Sequence, residues 1–212
     1  MSDKTHDLFN TPSGPESSEP PDQRALKTSQ SIDTGRYSLA RVADQAVAWL
    51  RTLASSAVYA TLIVTFGFQV ARVEGQSMAP TLADDDRLIV NKAVYMPWIG
   101  EPHVGDIVML HYPNKPEQTF VKRVIAKERD TVQIVAGKVY RNGIVMDDSF
   151  LPSEYRSHDD WGPEVVSEGY YFVMGDNRNH SFDSRHWRFV PKKYIIGRVE
   201  LRWWPMPRTR LF

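Results

Sequence analysis

A run of 19 residues without a charged side chain, Leu53 to Ala71, constrains the fold of this chain more than any other feature. As an α-helix the run would be roughly 28 Å long at about 1.5 Å per residue, close to the hydrocarbon thickness of a bilayer. Polar residues such as Ser55, Thr61 and Gln69 dilute it, so a buried core helix is an open alternative. A cleavable signal peptide would begin nearer the N-terminus. The sequence therefore predicts one transmembrane helix, placed at residues 46–71.

The residues before this helix, 1–45, are rich in Ser, Pro and acidic side chains. Pro12, Pro15, Pro20 and Pro21 interrupt any periodicity in the first half of the segment. So polar a segment buries too little apolar surface to offset the entropy that is lost on ordering. We expect residues 1–45 to form a disordered polar tail.

Basic residues on the two sides of the apolar run predict its orientation. Three lie within twenty positions on the N-terminal side and two on the other side, namely Arg36, Arg41 and Arg51, then Arg72 and Arg87. By the positive-inside rule the tail faces the cytoplasm, and the domain that follows the helix lies on the opposite face of the membrane.

The charge and cysteine content exclude several classes of function. The chain has 26 basic and 26 acidic side chains, and nucleic-acid binders usually show a marked basic excess, so we expect no nucleic-acid partner. The chain has no cysteine, which rules out disulfides, a cysteine nucleophile and a thiolate metal site.

Residues 72–212 carry short β-type runs and no sustained helical period. Runs rich in Val, Ile, Phe and Tyr predict strands at Arg87–Asn91, Asp106–His111, Phe120–Lys127, Thr131–Val135, Lys138–Arg141, Ile144–Met146, Tyr170–Met174 and Ile195–Trp204. Asn142-Gly143 between two of these runs is a strong hairpin signal. The fold class predicted for this domain is mostly β, as a sandwich or a partly open barrel.

Ser77 lies in the stretch Val73 to Leu82, directly after the apolar run. Gly75 and Pro80 favour a turn around it. A serine in such a turn is either an ordinary turn residue or a nucleophile that is held on a rigid bend.

Lys122 lies within the apolar strand Phe120 to Ala126. Alternation along the strand places it on the same face as Phe120, Val124 and Ala126, with Arg123 on the other face. Burial disfavours the charged form of lysine and lowers its pKa, so that a neutral amine could take a proton from a serine hydroxyl. The alternative is an edge strand that is protected by its charge.

The segment Gly175 to Arg185 follows a predicted strand and is rich in side chains that form hydrogen bonds. It is either a surface loop or a loop that is braced by its own side chains and orients another site.

Three rival sites receive less support from the sequence. Gly75 to Ala79 approaches the nucleophile-elbow pattern, but no α/β alternation follows it. Asp84-Asp85-Asp86 lacks the spacing of a calcium loop, and the six histidines form no His-Glu-x-x-His pair. We therefore expect no metal site.

Four segments in this order after an apolar helix resemble type I signal peptidases, which are membrane-bound Ser/Lys proteases. They are Gly75 to Leu82, Gly105 to Val108, Val121 to Ile125 and Gly175 to Arg185. The resemblance implies a signal-peptidase-like β catalytic domain after one transmembrane helix, without a cofactor. It implies cleavage of signal peptides from exported preproteins after small residues. The membrane that it implies is the bacterial inner (plasma) membrane, with an organellar membrane as the open alternative. Membrane lipid is the other expected partner.

By this resemblance Ser77 is the nucleophile, its backbone N–H is an oxyanion donor, and Lys122 is the general base. The hydrogen-bond partner of the lysine falls on Ser181, and two ionic supports fall on Asp176 with Arg123 and on Asp183 with Arg185. Some positions depart from the family pattern. Gly75 stands where certain members carry a serine that supplies a second oxyanion donor, Arg188 stands where the family usually has glycine, and residues 126–129 replace a Gly/Leu/Pro/Gly stretch.

Two other classes of function stay open at the level of the sequence. One is a membrane-anchored binding module whose active site is no longer catalytic. The other is a soluble regulator that cleaves itself with a Ser/Lys pair on a related β fold.

Overall fold

The computed structural model describes the backbone of residues 21–212 and the side chains of residues 41–212, so residues 1–20 of the expected tail lie outside the described part. Helix α1 spans Pro21–Gly67 and therefore begins inside the segment for which the sequence predicts disorder. The chain has no proline between Pro21 and Pro80, and a proline is tolerated in the first turn of a helix. No proline therefore interrupts the helix over residues 22–45.

The helix ends at Gly67, four residues before the predicted end of the span. Glycine is a poor helix former, and the next residues form strand β1, Phe68–Arg72. The segment Arg41–Gly67 is long and apolar enough to cross a membrane, with a mean hydropathy of 1.4. None of its apolar stretch is buried against the rest of the protein. That exposure does not support the alternative of a buried core helix.

The described residues divide into two units, one that ends at Ala57 and one that spans Val58–Phe212. All the strands, β1 included, lie in the second unit, and β4 is the longest of them. The strands that follow β1 are β2 Arg87–Asn91, β3 Ile107–Tyr112, β4 Lys115–Lys127, β5 Thr131–Val135, β6 Lys138–Arg141, β7 Ile144–Val145, β8 Trp161–Val165, β9 Tyr170–Met174, β10 Val190–Pro191, β11 Ile195–Trp204 and β12 Arg210–Leu211. One short helix, α2, spans Ser184–Trp187. The predicted mostly β fold is confirmed.

The strands form two antiparallel sheets in the described part of the chain. The eight-stranded sheet has the order β1-β2-β11-β3-β4-β9-β10, and β12 pairs with β11. The four-stranded sheet has the order β7-β6-β5-β8. Asn142 and Gly143 both have positive φ, 53° and 77°, as the predicted hairpin between β6 and β7 requires.

Three apolar clusters make the core of the second unit. One of them joins the two sheets, because Ile125 and Phe172 of the large sheet pack with Val132 and Ile134 of the small one. A β-bulge between Val124 and Ala126 interrupts the alternation of β4. The prediction that Ala126 shares a face with Val124 is wrong for this reason: the two residues lie in different clusters.

Candidate active site

Ser77 lies in a closed turn between β1 and β2. The Val73 N–H donates to the Asp86 carbonyl at 2.8 Å, and the Asp85 N–H donates to the Val73 carbonyl at 3.0 Å, so the two ends of the turn are fastened together. Met78 is almost fully buried in the apolar cluster beneath the turn. Burial of the neighbouring side chain fixes the backbone at Ser77 and leaves its hydroxyl half-buried.

Lys122 meets Ser77 from strand β4. Its Nζ donates a hydrogen bond to Ser77 Oγ at 2.7 Å, and its side chain is 2% exposed. The Nζ also lies 5.4 Å from the centre of the Phe120 ring. The two residues are 45 positions apart in the chain, so only the fold brings them together.

Burial lowers the pKa of Lys122 from its ordinary value to about 8. The negative charges of Asp183 and Asp176 oppose this shift, and the positive charge of Arg185 adds to it. Desolvation is the largest of these causes. A substantial fraction of the amine is therefore neutral near pH 8.

Asp176 joins the serine turn to the lysine strand. Its Oδ1 and Oδ2 accept from Arg123 Nε and Nη2 at 2.8 and 2.6 Å. Thr81 Oγ1, in the turn of Ser77, donates to Asp176 Oδ2 at 2.5 Å. The carboxylate is fully buried, so this contact fixes the relative positions of the two segments with little freedom.

Asp183 and Arg185 form a second ion pair at the start of α2. Arg185 Nε and Nη2 donate to the two carboxylate oxygens of Asp183, each at 2.9 Å. Asp183 Oδ2 also accepts the Gly175 N–H at 3.0 Å. Burial alone would raise the pKa of Asp183, but hydrogen bonds and the charge of Arg185 hold it below its usual value. The predicted pair Asp183 with Arg185 thus braces the loop from within.

Ser181 is buried close to this site, but its contact differs from the expected one. No hydrogen bond joins its Oγ to Lys122, although the resemblance implies one; Ser181 instead helps to lower the pKa of Asp183 in the same loop. The Lys122 Nζ is directed at Ser77 Oγ instead. A Cβ on Gly175 would overlap both Ser181 Oγ and the Ser77 carbonyl oxygen, so only glycine lets this loop approach the nucleophile turn.

Asn177 is a contact residue that the sequence reasoning missed. Its backbone N–H donates to the Ser77 carbonyl at 3.1 Å, and its Nδ2 donates to the Gln76 carbonyl at 3.2 Å. Arg202 holds the same turn from β11, since its Nη1 donates to the Thr81 carbonyl at 2.9 Å. No local signal in the sequence could have found these contacts, because the partners are about a hundred residues apart.

The three adjacent carboxylates Asp84, Asp85 and Asp86 each bind a different partner in or beside the serine turn. Asp84 Oδ1 accepts the Gly75 N–H at 2.8 Å, Asp85 pairs with Arg72 at 2.6 Å, and the buried Asp86 pairs with Arg202 at 3.1 Å. No group of three His, Asp or Glu residues that could hold a metal ion occurs among the side chains that the structure describes.

A groove of about 190 Å³ opens beside Ser77. Its walls come from the turn, β3 and β4, and the lining residues are Arg72, Val73, Glu74, Ser77, Met78, Met109, Thr119, Phe120 and Val121. Two strand edges border this region: β1 pairs only with β2, and β4 pairs with β9 only from Arg123 onward. Unpaired backbone groups on such edges can bind an extended peptide.

A serine hydroxyl beside a buried lysine of lowered pKa, at the edge of a groove, is an arrangement that suits nucleophilic catalysis. The family model of "Signal peptidase, peptidase S26" matches residues 46–204, and the chain belongs to this family. The match begins inside α1 and extends to the end of β11.

Curated relatives agree with this membership. The chain is 38% identical over 168 residues to the signal peptidase I of Leptolyngbya laminosa, covering 75% of this chain and 80% of that protein. It is 37% identical over 171 residues to the signal peptidase I of Bacillus licheniformis, covering 76% and 90%. A crystal structure of a signal peptidase I from Enterococcus faecalis V583 is 28% identical with a TM-score of 0.41, covering 46% and 96%.

Family membership and the apolar helix together indicate a membrane-anchored serine peptidase. They argue against a soluble self-cleaving regulator, since such a protein needs no apolar span.

Proposed function

We propose that this enzyme cleaves N-terminal signal peptides from exported preproteins after small residues, with Ser77 as the nucleophile and Lys122 as the general base. The observation that carries the proposal is the 2.7 Å contact between Lys122 Nζ and Ser77 Oγ, made by an amine that burial keeps partly neutral. The names of the relatives, signal peptidase I in a cyanobacterium and in Bacillus, support the choice of substrate.

In the first half of the reaction, neutral Lys122 takes the proton of Ser77 Oγ, and the oxygen attacks the scissile carbonyl. The tetrahedral intermediate collapses to an ester on Ser77, and the protonated lysine gives its proton to the leaving amine. Lysine suits this role because a single desolvated amine can act first as base and then as acid.

The backbone N–H of Ser77 makes none of the hydrogen bonds that close the turn, so it is available to the oxyanion. The Gly75 N–H is occupied by Asp84 Oδ1 at 2.8 Å and is not available as a second donor. In the second half of the reaction, Lys122 deprotonates a water molecule that hydrolyses the ester.

The other predicted site residues position this pair. Asp176 with Arg123 fixes the turn of Ser77 against the strand of Lys122. Asp183 with Arg185 braces the loop that carries Ser181 and Asn177. The buried Ser181 hydroxyl lies in this same loop and supplies a polar group near the reacting pair.

The preprotein would bind as an extended strand along the open edges of β1 and β4. Main-chain hydrogen bonds hold such a segment regardless of its sequence, and the small apolar surfaces of Met78, Met109 and Val121 in the groove favour small side chains near the cut.

We place the enzyme in the plasma membrane, with the tail in the cytoplasm and the catalytic domain on the outer face. The charge asymmetry around α1 supports this orientation. Trp98 supports the contact with lipid: its side chain is 91% exposed, with the exposed Met96 and Ile99 beside it. This loop is tied to the end of α1, because the Lys92 N–H donates to the Gly67 carbonyl at 2.7 Å.

Trp203, Trp204 and Phe212 are other candidates for contact with lipid, although packing of the last strand explains the two tryptophans at least as well. Trp203 is half-buried beneath the Arg87 guanidinium, 5.7 Å from the ring centre, whereas Trp204 is exposed. Trp98 is therefore the better-exposed anchor candidate.

The test is cleavage of a preprotein with an Ala-x-Ala site by the detergent-solubilised full-length enzyme, followed across pH. Cleavage at that site is expected to disappear in Ser77→Ala and in Lys122→Ala. Lys127→Ala is the matched control, because Lys127 lies on the same strand with an exposed side chain. Normal cleavage by a folded Lys122→Ala enzyme, or none by a folded wild type, would overturn the proposal.

A further inference from the structure

The groove beside Ser77 carries one charge without a direct partner. Only two charged residues line it, Arg72 and Glu74. Arg72 Nε and Nη2 both donate to Asp85 Oδ1, at 2.9 and 2.6 Å, so the main partner of the guanidinium is Asp85; the charge of Glu74 acts on it more weakly. Glu74 is exposed and makes neither a hydrogen bond nor an ion pair with the described residues. Its carboxylate therefore has only a weaker attraction to Arg72, without a direct contact, and can bind a cation of the substrate.

The surroundings of Glu74 do not cancel this charge. Asp84 is exposed close by and accepts only the Gly75 N–H. A further cation, Arg87, pairs in register with Arg72 and lies over the Trp203 ring. This end of the groove therefore has three carboxylates and two guanidinium groups, which leaves a net negative charge.

Glu74 is close enough to act on residues next to the cleavage site. It lies three residues before Ser77, and a chain extends at most about 3.6 Å per residue, so the two Cα atoms are no more than ~11 Å apart. A side chain of the bound peptide can close that gap. A lysine or arginine there would gain an ion pair, and an acidic residue would face a like charge.

We propose that Glu74 sets a charge preference in this peptidase: it favours preproteins with a lysine or arginine within two residues of the scissile bond over those with an acidic residue there. This inference rests on the proposed function and adds a substrate class to it. Because Glu74 is exposed, its effect is that of a surface ion pair, which corresponds to about two- to fivefold for each charge.

The experiment compares peptides that share an Ala-x-Ala site and carry Lys, Gln or Glu at one position, either at x, two residues before the cut, or at the first or second residue after it. At low salt, the wild-type kcat/KM at the responsive position is expected to be at least about threefold higher for Lys than for Glu. Added salt should shrink the ratio, since a Debye length is only about 8 Å at physiological ionic strength.

Glu74→Gln is expected to bring the Lys/Glu ratio close to one, and Glu74→Lys to invert it, with each rate taken relative to that of the Gln peptide on the same enzyme. Glu154→Gln is the matched control, because Glu154 is exposed and its side chain makes no hydrogen bond or ion pair with the described residues. Asp85→Asn is an independent variant: Asp85 has φ 67°, which asparagine tolerates, and the change frees Arg72 to offset Glu74. It should weaken the preference as well.

A ratio that Glu74→Lys leaves unchanged at every position, with the Gln peptide still cleaved, would overturn this inference and leave the proposed function intact. Failure of the wild type to cleave even the Gln peptide would instead overturn the proposed function, and the charge preference with it.

Discussion

The backbone N–H of Asn177 donates to the carbonyl oxygen of Ser77 at 3.1 Å, and its side-chain Nδ2 reaches the Gln76 carbonyl at 3.2 Å. One residue of the Gly175 to Arg185 loop thus holds two consecutive peptide groups of the serine turn. The loop orients the nucleophile through the backbone, a role distinct from that of the ion pairs around it.

Asn177→Ala should lower kcat more than it raises KM. The substitution removes the bond to Gln76 and the bond that Asn177 Oδ1 accepts from the His180 N–H at 3.2 Å, but it keeps the backbone bond to Ser77. The looser hold on the serine turn should cost about 1 kcal/mol, or roughly fivefold in kcat. Asn179→Ala is the matched control, since its Nδ2 binds the Glu154 carbonyl at 3.0 Å, away from Ser77. Equal kcat values for the two variants would exclude the positioning role.

The sequence predicts strands better than it predicts contacts. Arg87–Asn91, Thr131–Val135 and Tyr170–Met174 were predicted with the bounds that they have, because their β-branched and aromatic residues leave no helical alternative. Strand β8, Trp161–Val165, was missed, since its Gly-Pro pair is typical of a turn. The end of α1 was placed late because an uncharged run does not distinguish a helix from the edge strand that follows Gly67.

Site residues that belong to a sequence motif were predictable. Contacts between segments that are distant in the sequence were not. The positions of Ser77 and Lys122 follow from the resemblance. The contact of Thr81 with Asp176 and that of Arg202 with Thr81 depend on segments about a hundred residues apart, which no periodicity encodes.

Asp176→Asn should destabilise the protein by about 3 kcal/mol or more, because it leaves the Arg123 guanidinium, 18% exposed, without its carboxylate. Thr81→Val, which removes a single hydrogen bond to the same carboxylate, should cost about 1 kcal/mol. Chemical denaturation of the solubilised enzyme measures both. Glu168→Gln breaks the exposed pair with Arg129 and should change stability by less than about 1 kcal/mol; a loss equal to that of Asp176→Asn would contradict the argument.

Gly75→Ser should not raise kcat, although a serine there could in principle add an oxyanion donor. Gly75 has φ 85°, which an L-residue adopts at a cost of about 1 kcal/mol, and the turn that fixes Ser77 must shift to relieve it. Gly143→Ser is the control, because Gly143 has φ 77°, equally open space and a position in the hairpin between β6 and β7. Similar losses of stability in both variants, with loss of activity only at Gly75, are expected; a faster Gly75→Ser enzyme would refute this.

Trp98 should report directly on membrane contact. In vesicles that contain lipids with brominated acyl chains, the full-length enzyme is expected to lose tryptophan fluorescence, and Trp98→Ala should remove part of that quenching. Trp203→Phe is the comparison, because this half-buried ring is covered by Arg87 and should contribute less to the quenching. Quenching that Trp98→Ala leaves unchanged would exclude the loop from the interface.

Lys122→Met should abolish cleavage and yet stabilise the protein, by an amount that depends on pH. The folded pKa of Lys122 is about 8, below the ordinary value of 10.5 for the unfolded chain. Between these two values the unfolded state binds more protons, so the stability of the wild type rises with pH across that window. Below pH 8 the buried amine costs on the order of 3 kcal/mol, which the apolar methionine does not incur. The variant should therefore melt at a higher temperature than the wild type at pH 7, and the difference should shrink toward pH 10.

Cleavage by the wild type should rise through the same pKa, because only the neutral amine can take the proton of Ser77. A difference in melting temperature that stays constant from pH 7 to 10 would mean that Lys122 is not desolvated, and the reason for assigning it as the base would be lost.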